Sequence, residues 1–152
     1  MPHPGFDEHA APLWGSLRHD KGAAVLAAFS SIPAELRAIF CRCDWALHEA
    51  GSTADVARFL NQRRVPVVIC DRSLADGDWR DILQSIHSLP SAPRLIVTAI
   101  DADDALWADV LNRGGYDVLA QPFREQEVVR VVASAFRQWA ADGKRGQAAP
   151  SH

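Results

Sequence analysis

Between residues 23 and 140, short continuous apolar runs alternate with segments in which apolar residues recur at helical spacing, and that alternation admits few folds. The runs are "AAVLAAF" (23–29), "WALHEA" (45–50), "VPVVIC" (65–70), "RLIVTA" (94–99) and "YDVLAQPF" (116–123). After the first, Leu36, Ile39, Phe40 and Cys43 fall on one helical face, with Pro33 near the start, where its missing N–H costs nothing. After the second, Ser52 and Asp55 have capping-box spacing, and Val56, Phe59 and Leu60 share a face. The third helix carries Ile82, Leu83 and Ile86 inward and ends before Pro90. The fourth opens on acids and stops at Gly114 and Gly115, the residues best able to take a left-handed cap. The fifth, from Glu125 to about residue 140, places Val128, Val129, Val132, Phe136 and Trp139 on one stripe. Five strand–helix repeats with central strands apolar on both faces call for a parallel sheet covered on both sides by right-handed crossovers.

Composition narrows the function classes. A chain of 152 residues, 48% hydrophobic and 23% charged, fits one domain, and a net charge of −3 with interspersed signs leaves no footprint for nucleic acid or an anionic membrane. No run is long enough to span a membrane and no signal-peptide layout opens the chain, so a cytoplasmic location is expected. Three cysteines cannot make a disulfide framework; Cys41, Cys43 and Cys70 read as structural thiols, because no second Cys or His pair follows at a zinc spacing. His3, His9 and His19 lie on a segment with no scaffold to fix ligand geometry, and no metal centre is expected there. Residues 1–21, which include Trp14, and residues 141–152 are expected to be mobile tails around a domain spanning 22–140.

In an open parallel sheet the functional crevice forms at the carboxyl ends of the strands, where the winding reverses. Ser30 and Ser31 end the first strand, Asp71 ends the third, Thr98 the fourth and Gln121 the fifth. Those loop tips share one edge, with a single acid at its centre.

On "VVICD", "LIVTA", "GGYDVLAQPF" and the "SSIPAELR" after the first strand, the chain resembles the receiver domain of two-component response regulators, over about residues 22–140. The resemblance implies a flavodoxin-like (βα)5 three-layer sandwich with a five-stranded parallel sheet of order 2-1-3-4-5. It implies a stand-alone, atypical member, not an enzyme beyond transfer to its own Asp71, whose acceptor for a phosphoryl group from a histidine kinase is Asp71 and whose switch hydroxyl is Thr98. It also implies protein partners, a histidine kinase or a downstream signalling protein, and a homodimer through the face of helix 4, strand 5 and helix 5, where Trp107, Tyr116 and Trp139 are candidate contacts.

Three departures set the functional expectation. The acidic pair that holds Mg²⁺ in the family is replaced by Ser30 and Ser31, the lysine of its "KPF" signature is Gln121, and Val118 stands where an aromatic switch residue is usual. Mg²⁺ is a hard cation anchored by carboxylates, so its binding is expected to be weak at most, through Asp71 alone, and no other cofactor is expected. Phosphoryl transfer relies on cations that stabilise charge on the equatorial oxygens. Losing the ion and the lysine at about 3 kcal/mol each slows acceptance by roughly four orders of magnitude. Arg72, Asp76, Asp78 and Asp101 are candidates for compensation from the same rim. The expectation is a receiver acting mainly as a protein-interaction module with impaired Mg²⁺-dependent phosphorylation. The alternative is a phosphorylation-competent single-domain response regulator accepting on Asp71. A flavin-binding or thiol-redox domain of similar winding fits less well, without a phosphate-cradling loop after the first strand and without a C-x-x-C pair.

Overall fold

The computed structural model describes residues 24–148, with side chains as far as residue 143. The strands are β1 (Ala24–Ala28), β2 (Ala46–Ala50), β3 (Val67–Asp71), β4 (Arg94–Ala99) and β5 (Asp117–Ala120). The helices are α1 (Ala34–Cys43), α2 (Thr53–Gln62), α3 (Trp79–His87), α4 (Asp104–Asn112) and α5 (Glu125–Ala148). In the five-stranded sheet all pairings are parallel, as expected from the alternation, and the order is β2-β1-β3-β4-β5, the order that the resemblance implies.

The period-two alternation of side chains divides each central strand between two cores. Val25, Ala27 and Phe29 of the first strand region, with Val67, Ile69, Ile96 and Leu119, pack under α1 and α5. The intervening residues Leu26, Ala28, Val68, Cys70, Leu95 and Val97 pack under α2, α3 and α4. This two-sided burial is why the runs read as continuously apolar. The edge strand β2 is half exposed, in keeping with the alternation in "WALHEA".

Helix ends follow local chemistry. Ser52 caps α2 by accepting from the Asp55 amide, and Asp78 caps α3 in a reciprocal box with Asp81. After α4, Gly114 takes φ 103° and its N–H donates to the Leu111 carbonyl, while Gly115 donates to the Val110 carbonyl at 2.8 Å. Those two bonds make a Schellman stop, as the glycine pair predicted. Between β3 and α3 lies a two-residue antiparallel ladder, Ser73–Leu74 with Gly77–Asp78, that the apolar pattern does not signal.

One boundary is corrected. The last helix was expected to end near residue 140 with a mobile tail from 141, whereas α5 continues to Ala148. Asp142 pairs with Arg94 at the start of β4, which anchors the added turns to the sheet. Residues 149–152 and the N-terminal tail, with Trp14 and the three early histidines, lie outside the described residues.

Candidate functional site

Asp71 is the last residue of β3 and stands in register with Thr98 of β4, which is in turn in register with Leu119 of β5. Registered residues on neighbouring parallel strands project to the same face. Here that face is the α1 and α5 side, as the burial of Ile69, Ile96 and Leu119 in that core shows. Gln121, two residues beyond Leu119, continues the same alternation, and its backbone N–H donates to the Ala99 carbonyl at 3.0 Å.

Thr98 is the one fully buried polar residue among the described residues. Its Oγ1 accepts a hydrogen bond from Gln121 Nε2 at 3.3 Å. Its own hydroxyl proton has no acceptor among the described residues. Asp71 is half-buried; its Oδ1 accepts from the Arg72 N–H at 3.0 Å, and that N–H also reaches the Thr98 carbonyl at 2.8 Å. Burial holds the Asp71 carboxyl above the usual carboxylate range, partly offset by the Arg72 amide. Among the described residues no side chain hydrogen-bonds the carboxylate, so one of its oxygens faces no donor.

The other rim residues are placed differently from one another. Ser30 and Ser31 are exposed in the loop after β1 and make no hydrogen bond to Asp71. Asp76 accepts from the Thr53 and Ala54 amides at 2.8 and 3.3 Å, closing the start of α2, and those donors hold its carboxyl below the usual range. Asp78 caps α3 and pairs with Arg80. Two of the candidate compensating acids are therefore committed to helix N-termini. Asp101 is exposed and without a hydrogen bond among the described residues, and Arg72 pairs with no acid there.

A Mg²⁺ site of the family's kind needs carboxylates beside the acceptor. Among the described residues no three His, Cys, Asp or Glu side chains converge to hold a metal ion, and the loop after β1 presents hydroxyls. The residues present do not fit that ion.

Toward the outer face, Trp107 is 50% exposed with its indole N–H donating to Asp117 Oδ1 at 3.3 Å. Tyr116 is half-buried, its hydroxyl 2.6 Å from Ser134 Oγ, and Trp139 packs on the α1/α5 core against Phe136. Cys43 and Cys70 are buried, the latter with its thiol pushed well up by burial, whereas Cys41 is exposed. Ile100, 76% exposed just past Thr98 and Ala99, is an apolar rim residue that sequence reasoning passed over; its position directly after an apolar strand conceals it.

This doubly wound sheet, with an aspartate ending its third strand and a buried threonine beside it, has the fold of response-regulator receiver domains. The chain is similar to the signal receiver domain of an HD domain-containing protein from Pseudomonas fluorescens Pf-5, at 25% identity over 81% of this chain and 93% of that one, with a TM-score of 0.73. It is also similar in fold to the receiver domain of a putative LuxO repressor protein from Vibrio parahaemolyticus (16% identity, 80% and 95% coverage, TM-score 0.73). A third likeness in fold is the beryllofluoride-activated NtrC4 receiver domain dimer (20% identity, 76% and 98% coverage, TM-score 0.69). No family model and no curated protein matches the sequence. Among the described residues no helix is long and apolar enough to cross a membrane.

Proposed function

We propose that this receiver signals chiefly by binding a protein partner and that Asp71 accepts a phosphoryl group only slowly. The observation that carries this reading is the Gln121–Thr98 hydrogen bond. Where a lysine would offer a full charge to an incoming phosphoryl group, a neutral amide is already bonded to the switch hydroxyl. Attack by the Asp71 carboxylate on an anionic phosphoryl donor needs cationic stabilisation of the equatorial oxygens. The side chains that share this face with Asp71 supply dipoles only: Thr98 has a proton to give, Gln121 a second amide N–H, and neither cancels a charge.

The partner surface in this reading is the face of α4, β5 and α5, with Trp107 as its outward aromatic. The beryllofluoride-activated NtrC4 receiver domain is a dimer, and a homodimer through the face of α4, β5 and α5 is the assembly we propose here. The free oxygen of Asp71 favours the second reading, a competent phosphoacceptor. Incubation with acetyl phosphate or phosphoramidate and Mg²⁺, followed by intact-mass measurement, separates the two. Little or no added phosphoryl mass is expected. A stoichiometric gain that disappears in Asp71→Asn overturns the first reading in favour of the second.

A further inference from the structure

At the opposite edge of the sheet, where β3 and β4 begin, a cleft of about 380 Å³ opens between the end of α2 and the α3–β4 loop. Its volume falls within the range of small-molecule sites, roughly 300–1,000 Å³. Leu60, Val65, Leu89 and Pro93 make its walls apolar, while Arg63, Arg64, Asn61 and Ser91 supply polar groups. The lining thus contains two cations and no acid, in a chain whose net charge is −3.

Neither arginine has an ion-pair partner among the described residues. Instead each guanidinium lies over a ring, Arg63 at 5.5 Å from the Phe59 centroid and Arg64 at 5.3 Å from that of Trp139. Stacking on a ring face restrains a guanidinium without consuming its N–H donors, which lie in the guanidinium plane and remain open to a planar or tetrahedral anion. The Trp139 indole N–H donates to the Ser91 carbonyl at 3.3 Å, which ties α5 to the loop forming one wall. The Ser91 hydroxyl and the Asn61 amide have no partner among the described residues. Two restrained and unpaired guanidiniums beside spare neutral donors, above apolar walls, are complementary to a dianion on an apolar body.

We propose that this cleft binds a small phosphate monoester, with the phosphate on Arg63 and Arg64 and the organic group against Leu60, Val65 and Leu89. Arginines hold phosphate, like carboxylate, with paired N–H···O bonds, and it is the phosphate charge near neutral pH, about −1.5 to −2, that matches two guanidiniums. The site lies at the sheet edge away from Asp71, so it constitutes an input separate from the phosphoacceptor rim.

The test is a titration of the full chain, and of Asp71→Asn, with phenyl phosphate, inorganic phosphate and phenol, followed by ¹H–¹⁵N correlation spectra. Saturable shifts are expected for the Trp139 indole N–H and for amides of residues 61–65 and 89–94 with phenyl phosphate, equally in Asp71→Asn. Arg63→Gln combined with Arg64→Gln is expected to weaken binding by about tenfold or more while leaving the thermal midpoint unchanged, because both side chains are on the surface. Absence of saturable shifts, equal shifts from phenol, inorganic phosphate binding as tightly as phenyl phosphate, or binding that survives the double substitution would each overturn the proposal. Shifts lost in Asp71→Asn would place binding at the other edge and overturn it as well.

Discussion

Asp71 is a carboxylate that the fold half-buries with no cation paired to it among the described residues, and that combination has a measurable cost. Its pKa is raised above the ordinary 3.8 by burial, with the Arg72 amide working in the opposite direction. For an acid whose folded pKa is raised, the native state favours the protonated form. The associated stability is fully present below the unfolded pKa, about 4, and is lost as pH rises through the folded value. Asp71→Asn, which keeps the shape and removes the charge, is therefore expected to match the native protein in urea midpoint near pH 3 and to exceed it at pH 7. Parallel midpoint curves across that window would show that the carboxylate carries no burial penalty. Thr98 is a different case at the same scale: buried completely, its hydroxyl oxygen accepts from Gln121, while its proton has no acceptor among the described residues.

At the scale of elements, the ends of α1 and α4 solve one geometric problem with different residues. Both helices stop through a residue in the left-handed region, Gly114 after α4 and Asp44, at φ 60°, after α1. A side chain in that region costs about 1–2 kcal/mol, so Asp44→Gly is expected to raise stability by roughly 0.5–1 kcal/mol, and Gly114→Ala to lower it by about 1 kcal/mol or more. Chemical denaturation of the two variants checks both signs at once, and a stabilised Gly114→Ala would contradict the Schellman geometry. Gly115 adds a steric reason for the pair, because a methyl there would overlap the Val110 side chain. These ends also mark what the sequence makes legible. The glycine pair, the Ser52 cap and the two-faced apolar strands announce themselves by residue type and spacing, and a parallel sheet follows from them, while its strand order comes from the resemblance. The hairpin at residues 73–78 does not, since two-residue strands have no period. Nor does the commitment of Asp76 and Asp78 to the starts of α2 and α3: an acid's loop position reads the same whether it faces a ligand or an amide. The extension of α5 was hidden because its anchor, Arg94 to Asp142, joins residues far apart in the chain.

For the whole molecule, the decisive question under the proposed function is how the Asp71 rim behaves with dipoles at Ser30, Ser31 and Gln121, where the resemblance implies charges. β1 and β3 are adjacent, with Ala28 in register with Cys70, so the loop carrying Ser30 and Ser31 leaves the sheet beside the strand that ends at Asp71. Restoring aspartates at those two positions would place three carboxylates on one rim. Without a divalent ion like charges at that spacing repel, raising the pKa of at least one acid and lowering native stability. With Mg²⁺ present the same carboxylates become its anchors. Ser30→Asp combined with Ser31→Asp is therefore expected to be less stable than the native chain in chelator and to recover with added Mg²⁺, gaining about 2.7 kcal/mol once the ion exceeds its dissociation constant a hundredfold. The native chain is expected to show a much smaller response over the same titration, and thermal midpoints in EDTA and in Mg²⁺ compare the two directly. Adding Gln121→Lys replaces the amide on Thr98 with a full charge, and the triple variant is expected to accept a phosphoryl group from acetyl phosphate orders of magnitude faster than the native chain. If the double variant gains no stability from Mg²⁺, the loop after β1 does not reach the Asp71 rim, and the slow phosphoryl acceptance proposed above must then be ascribed to the placement of the backbone and not to Ser30 and Ser31.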